Sequence, residues 1–402
     1  EPIYLDHNAT TPVDDRVLEA MRPYFSEKFG NAASRTHRFG WEAEEAVENA
    51  RKQVADLIGA DSPKTIIFTS GATESNNLAI KGVLAAQKRE RAHVITVATE
   101  HKCVLDSCGE MEKQGHEVTV LGVDSNGLVD PEDIRKALRE NTVLVSIMWA
   151  NNEIGTIQNV AEIGSIAREH GVLFHSDAVQ AVGKIPVDVR AVGVDLLSIS
   201  AHKMYGPKGA GALYIARRHP PVALKPLFHG GGHERGKRSG TLAVPNIVGL
   251  GKACEVAAGD LAAEGARQTA LRDRLCENIL GKLDHVELNG HPTERLPNNL
   301  NLSFRYIEAE NLVMGMQDIA VSTGSACTSG SNEPSYVIKA LGGDADRAYA
   351  SVRFGIGRST TEAEIDFAAD TVVKTVQRLR ALSPQFEKLK KKAAEAAAAR
   401  NV

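Results

Sequence analysis

Residues 196–216, LLSISAHKMYGPKGAGALYIA, hold two short apolar runs on either side of a polar, glycine-rich loop. The first run is apolar almost throughout, as a strand buried on both faces is. The loop opens with His202 and Lys203, a place where a charged side chain is unusual unless it is paired or used. Working outward, the same kind of run recurs at 65–69 (TIIFT), 93–98 (HVITVA), 117–122 (EVTVLG), 143–149 (VLVSIMW) and 172–175 (VLFH). Helical patterns lie between several of them. In 39–58 the residues Phe39, Ala43, Ala46, Ala50, Val54 and Leu57 recur every three or four positions, and 72–84, 131–139 and 160–170 read likewise. Alternating strands and helices predict an α/β fold, a mostly parallel sheet between helices.

After residue 246 the pattern changes. A long helical stretch, 247–283, leads to isolated strand-like pieces such as 299–304, and a last helix is expected over 361–382. We read a large domain over 13–250 and a smaller α+β domain formed by 1–12 and 251–385. The charged tail 386–402 reads as a frayed helix or a disordered segment.

A chain of 402 residues suits two domains, or three. Its net charge of -4 and the lack of a clustered basic face give no reason to expect nucleic acid. No apolar run reaches the ~18 residues of a membrane span. Five scattered cysteines, Cys103, Cys108, Cys254, Cys276 and Cys327, argue against a disulfide framework. They suit a reducing compartment, the cytoplasm or an organelle matrix. Cys103 and Cys108 lie near His101, but no second pair completes a four-ligand zinc set. No metal is expected.

In open α/β sheets, ligands sit beyond the carboxyl ends of the strands. After 65–69 comes Ser70-Gly71-Ala72-Thr73-Glu74, a sharp turn and a helix start, which is either a phosphate cradle or an ordinary cap. After 172–175 come Ser176, Asp177 and Gln180. After 196–200 come His202 and Lys203. Lysine for an aldehyde, aspartate for a ring nitrogen and a phosphate cradle are what a pyridoxal-phosphate site needs. The rival reading of Asp177 and Lys203 is a structural ion pair. His101 follows 93–98 and could stack on a ring or move protons. Asn151, Asn152 and Glu153 follow 143–149 and could hydrogen-bond the cofactor's ring hydroxyl or the substrate, with Asn152 the cofactor-binding candidate. Cys327 sits in a Gly/Ser/Thr-rich stretch, 322–331, and reads as a loop thiol, a nucleophile or sulfur carrier, or as a small buried residue. The other four cysteines fall in helical patterns and read as structural.

Together these stretches resemble the group I cysteine desulfurases, the IscS/NifS branch of the fold-type I pyridoxal-phosphate enzymes. The resemblance covers nearly the whole chain, from YLDHNATTP (4–12) to Arg358. It is carried by SGATESNN (70–77), MWANNEIGTIQ (148–158), HSDAVQAVGK (175–184), SAHKMYGPKGAGALY (200–214), GGGHERGKRSGT (230–241) and, most sharply, STGSACTSGSNEPSYV (322–337). It implies a seven-stranded, mostly parallel sheet in the large domain and a homodimer. Lys203 would bear the cofactor, Asp177 would pair with its ring nitrogen, Gln180 would contact its ring oxygen and His101 would stack on it. Thr73, Ser200 and His202 would bind its phosphate, with Thr241 supplied by the partner subunit, and Ala72 would also touch the cofactor. Asn152 and Arg353 would hold L-cysteine. Cys327, on a loop of about 322–335, would receive the sulfur as a persulfide for an acceptor such as an iron–sulfur scaffold. A class V aminotransferase or a selenocysteine lyase would not need Cys327 as a carrier. A catalytically silent platform would not need Lys203, Asp177 and Cys327 together. Two departures stand out. His7 occupies a position where many relatives have Asn, with little effect expected. The tail from Phe386 does not resemble the end by which housekeeping relatives dock the scaffold, which bears on the docking mode.

Overall fold

The computed structural model of the protein describes residues 1–88, 91–323 and 333–400. Strands are numbered in chain order from β1 (Ile3–Tyr4). The central sheet has seven strands: β2 (Ile66–Thr69), β3 (His93–Val97), β4 (Glu117–Leu121), β5 (Thr142–Ser146), β6 (Leu173–Asp177), β7 (Leu196–Ser200) and β8 (Gly211–Ile215). Their order is β2-β8-β7-β6-β5-β3-β4, with β8 antiparallel to both neighbours and every other pair parallel. β2 therefore runs the same way as β7, and all six like-directed strands end on one edge of the sheet.

The apolar strands are apolar because both faces are covered. Ile67, Val94, Leu144, Leu196 and Leu213 point to one side, under α2 (Ala72–Ala85) and α3 (Lys102–Lys113). Their alternates Phe68, Ile95, Val145, Leu197 and Ala212 point to the other, against α1 (Arg38–Leu57), α4 (Val160–Glu169) and the start of α5 (Val244–Leu280). β4 is an edge strand, half-buried along most of its length, with Val120 exposed.

A second apolar core gathers Leu5, Leu271, Leu300, Phe304, Phe354 and Val372. It lies on an antiparallel sheet whose order is β12-β13-β10-β9. Its strands are β9 (Val286–Leu288), β10 (Asn299–Phe304), β12 (Ser322–Thr323) and β13 (Ser351–Gly355). α6 (Glu362–Ala381) packs on it, opened by a capping box between Thr361 and Glu364. The remaining strand, β11 (Ile319–Ala320), pairs in parallel with β1. α5 has 37 residues, roughly 55 Å of helix, and contributes to both cores. The tail forms a helix, α7 (Pro384–Arg400), rather than a disordered segment.

Candidate active site

The like-directed strand ends open into one cavity of about 480 Å³. Ala72 and Thr73 beyond β2, His101 beyond β3, Asn152 beyond β5, Asp177 and Gln180 at the end of β6, and Ser200, His202 and Lys203 at the end of β7 all line it, with Arg353 entering from β13. Of the residues expected from the sequence, Thr241 is not among its lining residues and is exposed. Cys327 lies outside the described residues.

The register explains the convergence. Gly211 opposes both Thr69 and Ser200, and a Cβ on Gly211 would sit 2.6 Å from the Cα of Gly71. Only glycine lets β8 pass this close to the turn at Gly71, where φ is +154° and no side chain caps α2. The uncapped start of α2, the Ser200 hydroxyl, His202 and Lys208 thus face one corner of the cavity. A helix N-terminus with a nearby cation suits a phosphate.

Lys203 donates from Nζ to the carbonyls of Asn8 (2.7 Å) and Ala9 (2.6 Å). Gln180 is locked to Asn8 at both ends of its amide: Nε2 donates to the Asn8 carbonyl and Oε1 accepts from Asn8 Nδ2, each at 3.1 Å. Asp177 is buried. Its Oδ2 accepts from Asn76 Nδ2 at 2.9 Å and its Oδ1 from the Val179 amide at 3.1 Å. Two hydrogen bonds fix the orientation of the carboxylate, as a group facing a ring nitrogen requires. No ion pair joins Asp177 to Lys203 among the described residues.

His101 caps α3, and its Nδ1 accepts from the Cys103 amide at 3.2 Å. In the neutral ring that places the proton on Nε2. His202 shares a hydrogen bond between Nδ1 and Thr10 Oγ1 at 3.0 Å. Burial, then the charges of Lys203, Lys208 and Lys184, push its pKa down to about 4, so it stays neutral. Arg353 is buried. It donates from Nη1 to the Asn152 carbonyl (3.0 Å) and from Nη2 to Asp6 Oδ1 (2.9 Å). Its Nε and the Asn152 Oδ1 are buried without a hydrogen-bond partner among the described residues. A spare donor and a spare acceptor on two neighbouring residues of the cavity suit an amino acid's carboxylate and amine.

Several residues here were not foreseen. Asn8 and Ala9 act mainly through backbone carbonyls, which carry no sequence signature. Asn76 reads as one more polar position in a helix. Cys103 was expected to be structural, but it lines the cavity, with Sγ 3.1 Å from His101 Nδ1 and 3.2 Å from Asn76 Nδ2. It follows the helix cap by two residues, and that spacing turns it back toward the histidine. Burial and the charge of Asp177 push its thiol up to about 12, so it is a poor nucleophile.

The residues fit pyridoxal 5′-phosphate: a cradle at the start of α2, a fixed carboxylate at Asp177, an amine at Lys203, and unpaired groups at Asn152 and Arg353 for the substrate. Known proteins agree. The class-V aminotransferase family model matches residues 3–367. The cysteine desulfurase IscS of Anaeromyxobacter dehalogenans is 57% identical over 389 residues, 97% of this chain and 96% of that protein. A solved NifS-like protein superposes with a TM-score of 0.87 at 39% identity, covering 94% of this chain and all (100%) of that one. A structure described as SspA in complex with cysteine gives 0.79 at 39% identity, covering 88% and 98%. The chain belongs to the class-V aminotransferases, a pyridoxal-phosphate family, and within it to the cysteine desulfurases of the IscS type.

Proposed function

We propose that the protein takes the sulfur from L-cysteine, leaves it on Cys327 as a persulfide and releases alanine. The observation that carries this reading is the convergence of Asn152 and Arg353 with Lys203 and Asp177 on the wall of one cavity, with Asn152 Oδ1 and Arg353 Nε left without a hydrogen-bond partner among the described residues. When bound, pyridoxal phosphate supplies an aldehyde and an electron sink. Arg353 and Asn152 hold the substrate's carboxylate and amine. Asp177 keeps a proton on the ring nitrogen. Lys203 Nζ, released from the Asn8 and Ala9 carbonyls, carries the proton from the substrate's α-carbon. His101 Nε2–H faces the substrate thiol and moves its proton.

The sulfur step is a thiolate attack. The Cys327 sulfur bonds to the substrate sulfur as the carbon–sulfur bond breaks. The electron pair stays with the carbon fragment, which takes up a proton and leaves as alanine. One cysteine and one thiol become one alanine and one persulfide, and no outside oxidant is needed. The described flanks of the segment support Cys327 in this role. Ser322 pairs with Arg353 across β12 and β13, and Ser335 donates to Glu153, the neighbour of Asn152. Thr323 is four residues from Cys327, a reach of at most about 14 Å.

A homodimer completes the reading, with Thr241 given to the partner's phosphate site. Exposed aromatic side chains, Phe25, Phe29, Phe39, Trp41 and Phe228, suit a covered face. The sulfur acceptor is an iron–sulfur scaffold or a comparable carrier, in a reducing compartment. The chain divides into its large and small domains along α5. Among the described residues no helix is long and apolar enough to cross a membrane. A single-turnover reaction tests the proposal: protein mixed with L-cysteine, with alanine and protein adducts followed by mass spectrometry. Alanine with a sulfur adduct confined to Cys327 is the expected result. A cofactor spectrum that answers cysteine without alanine or adduct refutes it and favours an aminotransferase.

A further inference from the structure

The chain that leads into His101 is fastened in two places from the stretch after β5 that carries Asn152. The Thr99 carbonyl accepts from Asn151 Nδ2 at 2.9 Å, and the buried Glu100 carboxyl accepts from the Met148 amide. Neither contact touches the peptide unit that joins Glu100 to His101. That unit is planar, so holding its oxygen also holds the nitrogen from which the histidine starts. The oxygen is the Glu100 carbonyl, and it accepts from the Tyr336 hydroxyl at 2.6 Å. On the other side of the histidine, the Lys102 ammonium lies 5.1 Å from the centre of the Tyr336 ring, a cation–π distance. One side chain thus touches both chain neighbours of His101.

Tyr336 is brought there from 236 positions away. It opens the short helix Tyr336–Ala340, whose Val337 and Ile338 are buried in a small apolar cluster with Ile154, Leu341 and Ala348. Ser335 caps this helix, accepting from the Ile338 amide at 3.2 Å and donating to the Glu153 carboxyl. The tyrosine is therefore presented by a packed element, and its hydroxyl arrives at a defined place. Tyr336 is not among the residues that line the active-site cavity, so any effect on the substrate must pass through another side chain. Many acceptors would satisfy a tyrosine hydroxyl. The one it takes belongs to the peptide that aims the imidazole.

We propose that Tyr336 is a positioning residue for His101: its hydroxyl on the Glu100 carbonyl and its ring beside the Lys102 ammonium fix the chain on both sides of the histidine and so hold Nε2 at the substrate thiol. This rests on the reading of His101 as the group that moves the thiol proton. Proton transfer needs the two heavy atoms within hydrogen-bond reach, and a misplacement of about 1 Å can cost on the order of 100-fold in rate. The hold of Arg353 and Asn152 on the substrate is separate from this contact.

The test is a double-mutant cycle on the holoenzyme: wild type, Tyr336→Phe, His101→Gln and both together, with single-turnover alanine formation as the rate. Tyr336→Phe is expected to slow the wild type by about 10-fold at unchanged half-saturation by L-cysteine. It should change the His101→Gln protein by less than about twofold, because its effect passes through the imidazole. His101 is exposed, so its carbethoxylation by diethyl pyrocarbonate in the substrate-free holoenzyme, read by mass spectrometry, follows the ring without turnover. That labelling should be several-fold faster in Tyr336→Phe. Ser335→Ala loosens the same helix start without touching the Glu100 peptide, and should label near the wild-type rate. Lys102→Met, a change at an exposed residue that does not threaten the fold, should slow alanine formation about two- to threefold, again only where His101 is present. Equal slowing by Tyr336→Phe with and without His101 overturns the proposal. So does labelling at the wild-type rate in Tyr336→Phe, or labelling raised as much by Ser335→Ala. If His101→Gln alone leaves the rate unchanged, the proton role of His101 fails and takes this inference with it.

Discussion

Replacing Glu234 with alanine should cost several kcal/mol, because its carboxylate serves two buried groups at once. Arg51 donates to it twice, from Nη1 to Oε2 at 2.8 Å and from Nη2 to Oε1 at 2.9 Å. The Phe68 amide, on β2, donates to Oε2 at 2.8 Å. Both side chains of the pair are almost fully buried, at 7% and 3% exposure. Glu234→Ala leaves Arg51 with only the exposed Glu48 as a counter-charge among the described residues, and it orphans a buried amide. A broken buried pair costs about 3–5 kcal/mol and an unsatisfied amide about 1–3. The two overlap, so a loss of about 4 kcal/mol is expected. Glu234→Gln keeps an acceptor for Phe68 and should lose less, about 2–3 kcal/mol. Arg51→Met with Glu234→Met removes both charges but leaves the Phe68 amide and the Ile66 carbonyl without these partners, so it should recover only the charge part of the loss. The assay is a double-mutant cycle read from urea unfolding at fixed cofactor, with proteolysis of residues 228–242 as a local probe. A coupling under about 1 kcal/mol would refute the argument, since it would mean that water reaches the pair.

Cys327→Ala should keep the spectral response to cysteine and lose both alanine release and the protein-bound sulfur in a single turnover, which mass spectrometry reads directly. Burial raises the Glu153 carboxyl to about 7, while an unfolded chain holds it near 4.5. The native state then binds the extra proton, so stability should fall as pH rises through that window. Glu153→Gln should flatten the fall, as thermal melts between about pH 5 and 8 would show. Cys103, with its thiol raised to about 12, should react with iodoacetamide at about pH 8 far more slowly than the unfolded chain does; Asp177→Asn should speed it up. Equal rates in the two folded proteins would contradict the role given to the Asp177 charge. Thr241→Val should weaken cofactor binding several-fold, and mixing it with a Lys203→Ala protein should restore one working site per mixed dimer if Thr241 acts across subunits.

Much of the fold was legible because the buried strands differ so plainly from their surroundings. β10 (Asn299–Phe304) falls where the sequence placed it, and β7 (Leu196–Ser200) likewise. Asp177 and Lys203 stood out as charges at the ends of apolar runs, and the sheet brings them to one cavity. Strand order was another matter. Nothing local says that β4 lies at an edge, because Glu117–Leu121 is as rich in β-formers as its buried neighbour. Nor do residues alone reveal the grip of Asn8 and Ala9 on Lys203, a contact made by backbone carbonyls 195 and 194 positions away. Arg353 was reached only through the resemblance, since an arginine in a short strand has many structural uses.

The clamp on Lys203 also sets a timetable for synthesis. Asn8 and Ala9 leave the ribosome 195 and 194 residues before the lysine they hold. The segment that carries them is fastened at both ends to late parts of the chain: β1 lies on Ile319–Ala320, and the His7 amide donates to the Gly355 carbonyl. A nascent chain can therefore fold its central sheet, with Lys203 already at the end of β7, while the grip on that lysine is still missing. The site becomes whole only when residues near 355 emerge and draw the beginning of the chain back across it. A product cut short before residue 355 would present the lysine without its clamp, and full competence for the cofactor waits on the emergence of those later residues.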